Sequence, residues 1–142
     1  MKRFSIVLGL LALTLASFLG VAGEARSDVI VYGDTYAAIA YSPETGQWGY
    51  GYSYGTRGGA QAEALRNCQA PDARIVTWVH NGFCALALGD DKSCWGVGWS
   101  HSNGANNHDA ANRALADAGK RTSGARIVLI VCSADLPPVV NR

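Results

Sequence analysis

The residue types able to do chemistry gather in two aromatic rows. Trp48, Tyr50, Tyr52 and Tyr54 alternate with Gly49, Gly51 and Ser53, and Trp95, Trp99 and His101 stand in a second run of the same form. Alternation with a period of two puts each row on one face of a strand. Aligned rings carrying tyrosine hydroxyls can stack on sugar rings and hydrogen-bond their edges. Equally, they can be core, with the glycine face admitting a helix at close range. The candidate ligand-binding set is therefore Trp48, Tyr50, Tyr52, Trp95, Trp99 and His101, and the core reading stands beside it.

Other chemistry is thinner. Ser100, His101, His108 and Asp109 are the residue types of a hydrolytic triad. No nucleophile elbow surrounds Ser100, and a triad is a matter of geometry. Ser100 also matches Ser53 of the first run, where Tyr54 stands in place of His101, and this assigns it to the strand. His108-Asp109 reads as the first turn of a helix, where an acidic residue suits the dipole. His101, His108 and Asp109 have no characteristic metal-ligand spacing. Glu44 and Asp90-Asp91 lie in matching loops and would act as glycosidase carboxylates only at a suitable separation. Gly49 and Gly51 fall inside a strand, so with Gly55, Gly58 and Gly59 they make no dinucleotide fingerprint, and no P-loop lysine follows. The sequence therefore names no catalytic residue, metal or cofactor.

What must position these residues is a unit written twice. Trp48-Gly49-Tyr50-Gly51-Tyr52-Ser53 returns as Trp95-Gly96-Val97-Gly98-Trp99-Ser100, 47 residues on. Upstream, Tyr36–Ala40 lies over Phe83–Ala87; downstream, Ala64-Leu65 lies over Ala114-Leu115 and Ala73–Val76 over Ala125–Val128. A period this long marks a duplicated supersecondary unit. Each copy reads strand, strand, helix, strand. Strands are expected over 36–41, 48–54, 74–80, 83–89, 94–101 and 125–132. Helices are expected after Thr56, which can cap one, and over about 108–118, ending at Gly119. Asn81-Gly82 is a strong hairpin signal. The fold expected is α+β, with two pseudo-symmetric repeats making a mostly antiparallel sheet or half-open barrel with two helices.

Lys2 and Arg3, an apolar run over 4–22 and small residues at Gly23 and Ala25 have the order of a secretory signal peptide. The organisation expected is a signal peptide over 1–25, a polar leader over 26–35 in which residues 29–32 can add an edge strand, one duplicated domain over 36–133 (repeats 36–80 and 83–132), and an unstructured tail over 134–142. Lys2, Arg3 and Glu24 leave with the signal, so ten cations face ten carboxylates. That balance does not invite nucleic acid, which selects basic patches, and no stable membrane insertion is expected once the signal is removed. Four cysteines in an exported domain read as two disulfides with three possible connectivities. Placing each at one end or the other of its strand favours Cys68–Cys94 with Cys84–Cys132.

Tyr36–Ser42, the Trp48 strand, Ala62–Cys68, Phe83–Ala87, the second Trp-Gly strand with its Ala-rich helix, and Val131-Cys132 together resemble the domain-of-unknown-function 4189 family, over about residues 36–133. That resemblance implies a small exported bacterial protein with no agreed activity and no site residues to carry over; mycobacterial members are discussed as secreted effectors. Members often carry a cysteine just before the third strand, where this chain has Asp72 and Ala73, with Cys94 as its replacement. The function expected is a non-enzymatic binding or effector module, periplasmic or secreted, whose partner is a protein or a cell-wall glycan. An inhibitor of a cell-wall hydrolase and a small hydrolase using the Ser100–Asp109 region are the alternatives.

Overall fold

The computed structural model describes residues 33–101, 107–134 and 136–141. The signal peptide, the strand at 29–32 and the loop at 102–106 lie outside the described residues. Among them no helix is long and apolar enough to cross a membrane.

The chain runs β1 (Tyr36–Tyr41), β2 (Trp48–Tyr54), α1 (Arg57–Cys68), β3 (Arg74–His80), β4 (Gly82–Leu88), β5 (Trp95–His101), α2 (Asn107–Gly119), β6 (Arg126–Cys132) and β7 (Val139–Val140). Local chemistry sets the boundaries. Thr56 holds an extended backbone and its hydroxyl accepts from Gly59 N at 3.2 Å, which starts α1. Gln69 turns left-handed at φ 53° and ends it, two residues before Pro71.

The strands form two antiparallel sheets, ordered β2-β1-β3 and β5-β4-β6-β7. The single sheet or half-open barrel expected from sequence is corrected here, and Asn81 is the reason. Asn81-Gly82 is no hairpin turn, because β3 pairs with β1 and β4 pairs with β5 and β6. Asn81 adopts φ 46°, donates its N–H to Thr35 O at 2.9 Å, and sends the chain from one sheet into the other. The tail is also corrected: Val139-Val140 pairs antiparallel with Leu129-Ile130 as a seventh strand.

Four layers result: α1, first sheet, second sheet, α2. Ala37, Ile39 and Tyr41 of β1 meet Cys84, Leu86, Leu129 and Val131 of the second sheet in the central core. Each fully buried Ile or Leu there contributes roughly 2 kcal/mol. The opposite faces bury alanines, Ala38 and Ala40 against α1 and Ala85 and Ala87 against α2, with Tyr36 and Ile75 half-buried around the first pair and Phe83, Ile127 and Ile130 around the second. The helices answer with Ala60, Ala64 and Cys68, and with Ala110, Ala114 and Ala118, four residues apart on one face. Gly49 and Gly96 let the helix backbones touch the sheets. A Cβ on either would lie well inside contact distance of main-chain atoms of Cys68 and Ala64, or of Ala118 and Ala114.

All four cysteines are free, so the disulfide expectation is corrected as well. Cys68 packs under α1, its Sγ 3.4 Å from Gln47 O. Cys94 lies on the α2 side, its Sγ 3.8 Å from Arg121 O. Two sheets separate them, and stacked sheets stand about 10 Å apart, beyond the roughly 7 Å a bridge spans. Cys84 faces Val131 across the ladder while Cys132 faces Phe83, so this second pair projects from opposite faces of one sheet.

Candidate functional site

The two aromatic rows do not form one surface. Trp48, Tyr50 and Tyr52 make a ladder along β2, with ring centroids 6.3 and 6.1 Å apart, half-buried against the central core. Trp95 sits between the sheets, tilted against Tyr41 at 5.9 Å. Trp99 and His101 lie at the opposite side of the sandwich, where the edge strands β3 and β5 approach each other.

There the structure opens a groove of about 440 Å³, lined by Val76, Thr77, Trp78 and Val79 of β3 and by Val97, Trp99 and His101 of β5. Trp78 is 38 % exposed and Trp99 45 %. Trp78 is paired with Ala38, which places its ring on the α1 side of the edge strand whose residues line the groove. The guanidinium of Arg57 lies 4.0 Å over the Trp78 ring, and that of Arg113 5.3 Å over the Trp99 ring. Arginine over an indole face contributes about 0.5–1 kcal/mol at exposed sites and fixes the ring plane. His101 meets Trp99 edge-on at 5.0 Å, and its Nδ1 lies 3.2 Å from His80 O, which ties β5 to β3 at one end of the groove. His80 itself stacks on Tyr36 at 4.6 Å and holds Asp34 Oδ1 at 2.9 Å through Nε2.

Of the residues singled out from sequence, Trp99 and His101 line this groove; Trp78, Arg57 and Arg113 are not among them. A signal existed for Trp78: in the alignment of 73–76 over 125–128 expected from sequence, it falls opposite Ile130, an aromatic set against an aliphatic. Nothing in the sequence sets either arginine on a ring.

Ser100 is 3 % exposed on the α2 face of β5, opposite Phe83, whereas His101 turns to the other face. The two are neighbours in sequence and back to back in space. Among the described residues no group of three or more His, Cys, Asp or Glu side chains could hold a metal ion. Burial pushes the Cys84 thiol far up, and raises those of Cys68 and Cys132, away from thiolate chemistry.

The β2 edge is sealed where it would pair: Asn67 Nδ2 donates to Tyr50 O at 2.9 Å, and Ser53 N donates to Ser133 O at 3.1 Å. The β5 edge is closed in the same way, Val97 N donating to Asp117 Oδ2 at 3.2 Å and Arg121 donating to Trp95 O at 2.5 Å. Side chains on an edge are a common guard against strand addition.

Relatives share part of this chain. Protein Rv1269c of Mycobacterium tuberculosis (strain H37Rv) and Protein Mb1300c of Mycobacterium bovis are each 38 % identical to it over 65 residues, 46 % of this chain and 51 % of theirs. The chain thus matches about half the length of these curated relatives. No solved structure matches it. Residues 36–132, from the first residue of β1 to the last of β6, match one family model, and the chain belongs to that family: the domain of unknown function DUF4189.

Proposed function

We propose that this chain is an exported, non-enzymatic module that binds a macromolecule, a protein or a cell-wall glycan, in the periplasm or outside the cell. The observation that carries the reading is the groove between β3 and β5, where Trp99 is 45 % exposed beside His101 and braced by Arg113. A large indole left in water at the mouth of a cavity is the usual anchor of a binding site. Ser100 points into the α2 layer and brings no nucleophile to that groove. The signal-like order of residues 1–25 supports export. The same reading takes the molecule as two copies of one unit, supported by ladders that slip at matching steps, Ile39/Ala40 and Leu86/Ala87.

The test is tryptophan emission on adding soluble peptidoglycan fragments or short extended peptides, with fragments analysed afterwards for cleavage. Binding predicts a saturable change in the wild type, abolished in Trp99→Ala, and intact fragments. Silence towards both kinds of probe overturns the reading. Cleavage that His101→Ala abolishes replaces it with the hydrolase alternative.

A further inference from the structure

We propose that the open edge of β3 at Trp78 accepts an acidic, extended polypeptide segment of a partner protein as an added antiparallel strand. This rests on the binding-module reading and names the class of partner.

The second sheet shows the interaction already made. β7 lies on the outer edge of β6, Leu129 opposite Val140 and Ile130 opposite Val139, and Asn141 N extends the pairing to Val128 O at 3.0 Å. β3 is the strand that corresponds to β6 in the first copy, with Thr77 and Trp78 in the places of Leu129 and Ile130. The two strands also agree in phase. Asn81 N donates to Thr35 O beyond the Tyr36–His80 pair, and Ser133 N donates to Gly82 O beyond the Phe83–Cys132 pair. In an antiparallel ladder that bond makes the enclosed pair a wide one, and every second pair shares its type. Trp78 opposite Ala38 and Ile130 opposite Ala85 are therefore both wide pairs, whose N–H and C=O point away from the neighbouring strand. In β6 those groups meet β7. In β3 no described strand meets them.

The contrast with the other edges sharpens the point. β2 and β5 have side chains from α1, α2 and the turn after α2 bonded along them, whereas Trp78, whose N–H and C=O point outward, lines a cavity. A strand laid there would put alternate side chains into the 440 Å³ groove, beside Val79, Val97 and Trp99. Charge selects the partner. Arg57 and Arg113 stand over the two indoles, and among the described residues neither has a carboxylate within ion-pair distance. The occupant that answers the backbone, the cavity and the cations together is an extended segment with β-branched residues and an acidic flank.

The experiment uses the full chain and one probe, a blocked fluorescent peptide of residues 136–142 carrying Arg142→Glu, followed by fluorescence polarisation. Because the Trp78 N–H faces outward, Trp78→Pro removes one donor of the new ladder and leaves the β1 ladder whole. Trp78→Val removes the ring and keeps the donor. The expectation is that Trp78→Val binds within about threefold of wild type and Trp78→Pro at least tenfold more weakly. Should Trp78→Pro fail to fold, the peptide with its inner amides N-methylated makes the same test on the wild type, and it should bind at least tenfold more weakly. Equal loss in both Trp78 variants, or equal binding of the methylated peptide, means side-chain recognition and overturns strand addition. A wild type that ignores the peptide while peptidoglycan fragments still change its emission overturns strand addition and leaves the binding module standing; silence towards both removes both. A dimer of the wild type that Trp78→Pro dissolves assigns the edge to a second copy and also overturns the proposal.

Discussion

Asp72 shows how much one carboxylate organises. Its Oδ1 accepts from the buried Ser42 hydroxyl and its Oδ2 from Glu44 N at 3.1 Å, while Ser42 Oγ accepts from Thr45 N at 3.1 Å. Three residues of the β1–β2 loop, Ser42, Glu44 and Thr45, are thus pinned to the turn before β3. The Ser42 bond, aided by Glu44 N, holds the Asp72 carboxyl below the ordinary aspartate value of 3.8. A depressed folded pKa contributes stability that is present above that ordinary value and is lost as pH falls through the lowered one. Melting temperature should therefore drop on acidification below about pH 4, and Asp72→Asn should lower it at pH 7 and flatten the acid-side slope. Thermal melts of both proteins between pH 7 and pH 2 check this; parallel curves would contradict it. The thiols make a second prediction at this scale. Cys68, Cys84 and Cys132 are buried and Cys94 is half-exposed, so the folded protein should be alkylated fast at Cys94 alone, and at all four once denatured without reductant. Mass spectrometry counts the adducts, and two pairs resistant to alkylation in denaturant would restore the disulfides.

Between neighbouring elements the contacts are main chain against main chain. α1 on β2 and α2 on β5 meet through alanine and glycine, so neither side chains nor solvent cushion them. Gly96→Ala drives a methyl into Ala118 N and Ala114 O, which can yield only if α2 lifts as a body. The cost expected is about 2–3 kcal/mol, the upper part of the range for overpacking. Gly58→Ala, with open space around it in the exposed first turn of α1, is the control and should change stability by under about 1 kcal/mol, in the stabilising direction. Denaturant titration of the two variants measures both. This contact was legible in the sequence, since a glycine every second residue beside alanines every fourth is a pattern with one mechanical meaning. Strand limits were legible for the same reason, because alternation in Trp48–Tyr54 is local. What could not be read was the layer each strand joins. Asn81-Gly82 has the composition of a hairpin turn, yet the pairing of β3 with β1 is decided by contacts more than 30 residues away. The disulfide assignment failed on this point: it placed each cysteine along the strand axis and had no coordinate across the layers. The aromatic rows were divided for the same reason, Trp95 to the interior and Trp99 to the groove.

At the scale of the whole molecule, two open sheets in a small sandwich present four edge strands, and each is a template for pairing with another chain. The molecule treats them differently. β2 and β5 are bonded by helix side chains, β6 is covered by β7, and β3 is left with Trp78 lining a cavity. The fourth edge, β7, is only two residues long, so among the described strands β3 alone offers a long unguarded edge, to which the proposed association would be confined. The guard on β6 is the easiest to remove, because β7 is two residues long and follows Pro137-Pro138. Deleting residues 136–142 should bare the N–H and C=O of Ile130 and convert a closed edge into an open one. Little core is lost, since Val139 and Val140 are exposed, so the melting temperature should fall by only a few degrees. Self-association is what should change. Sedimentation of the truncated chain across a hundredfold range of concentration should show reversible dimers where the full chain shows fewer, and Ile130→Pro in the truncated chain should abolish the difference by removing the donor that points outward. A truncated chain with the full chain's association behaviour would mean that β7 guards nothing, and the comparison between β6 and β3 would lose its energetic basis.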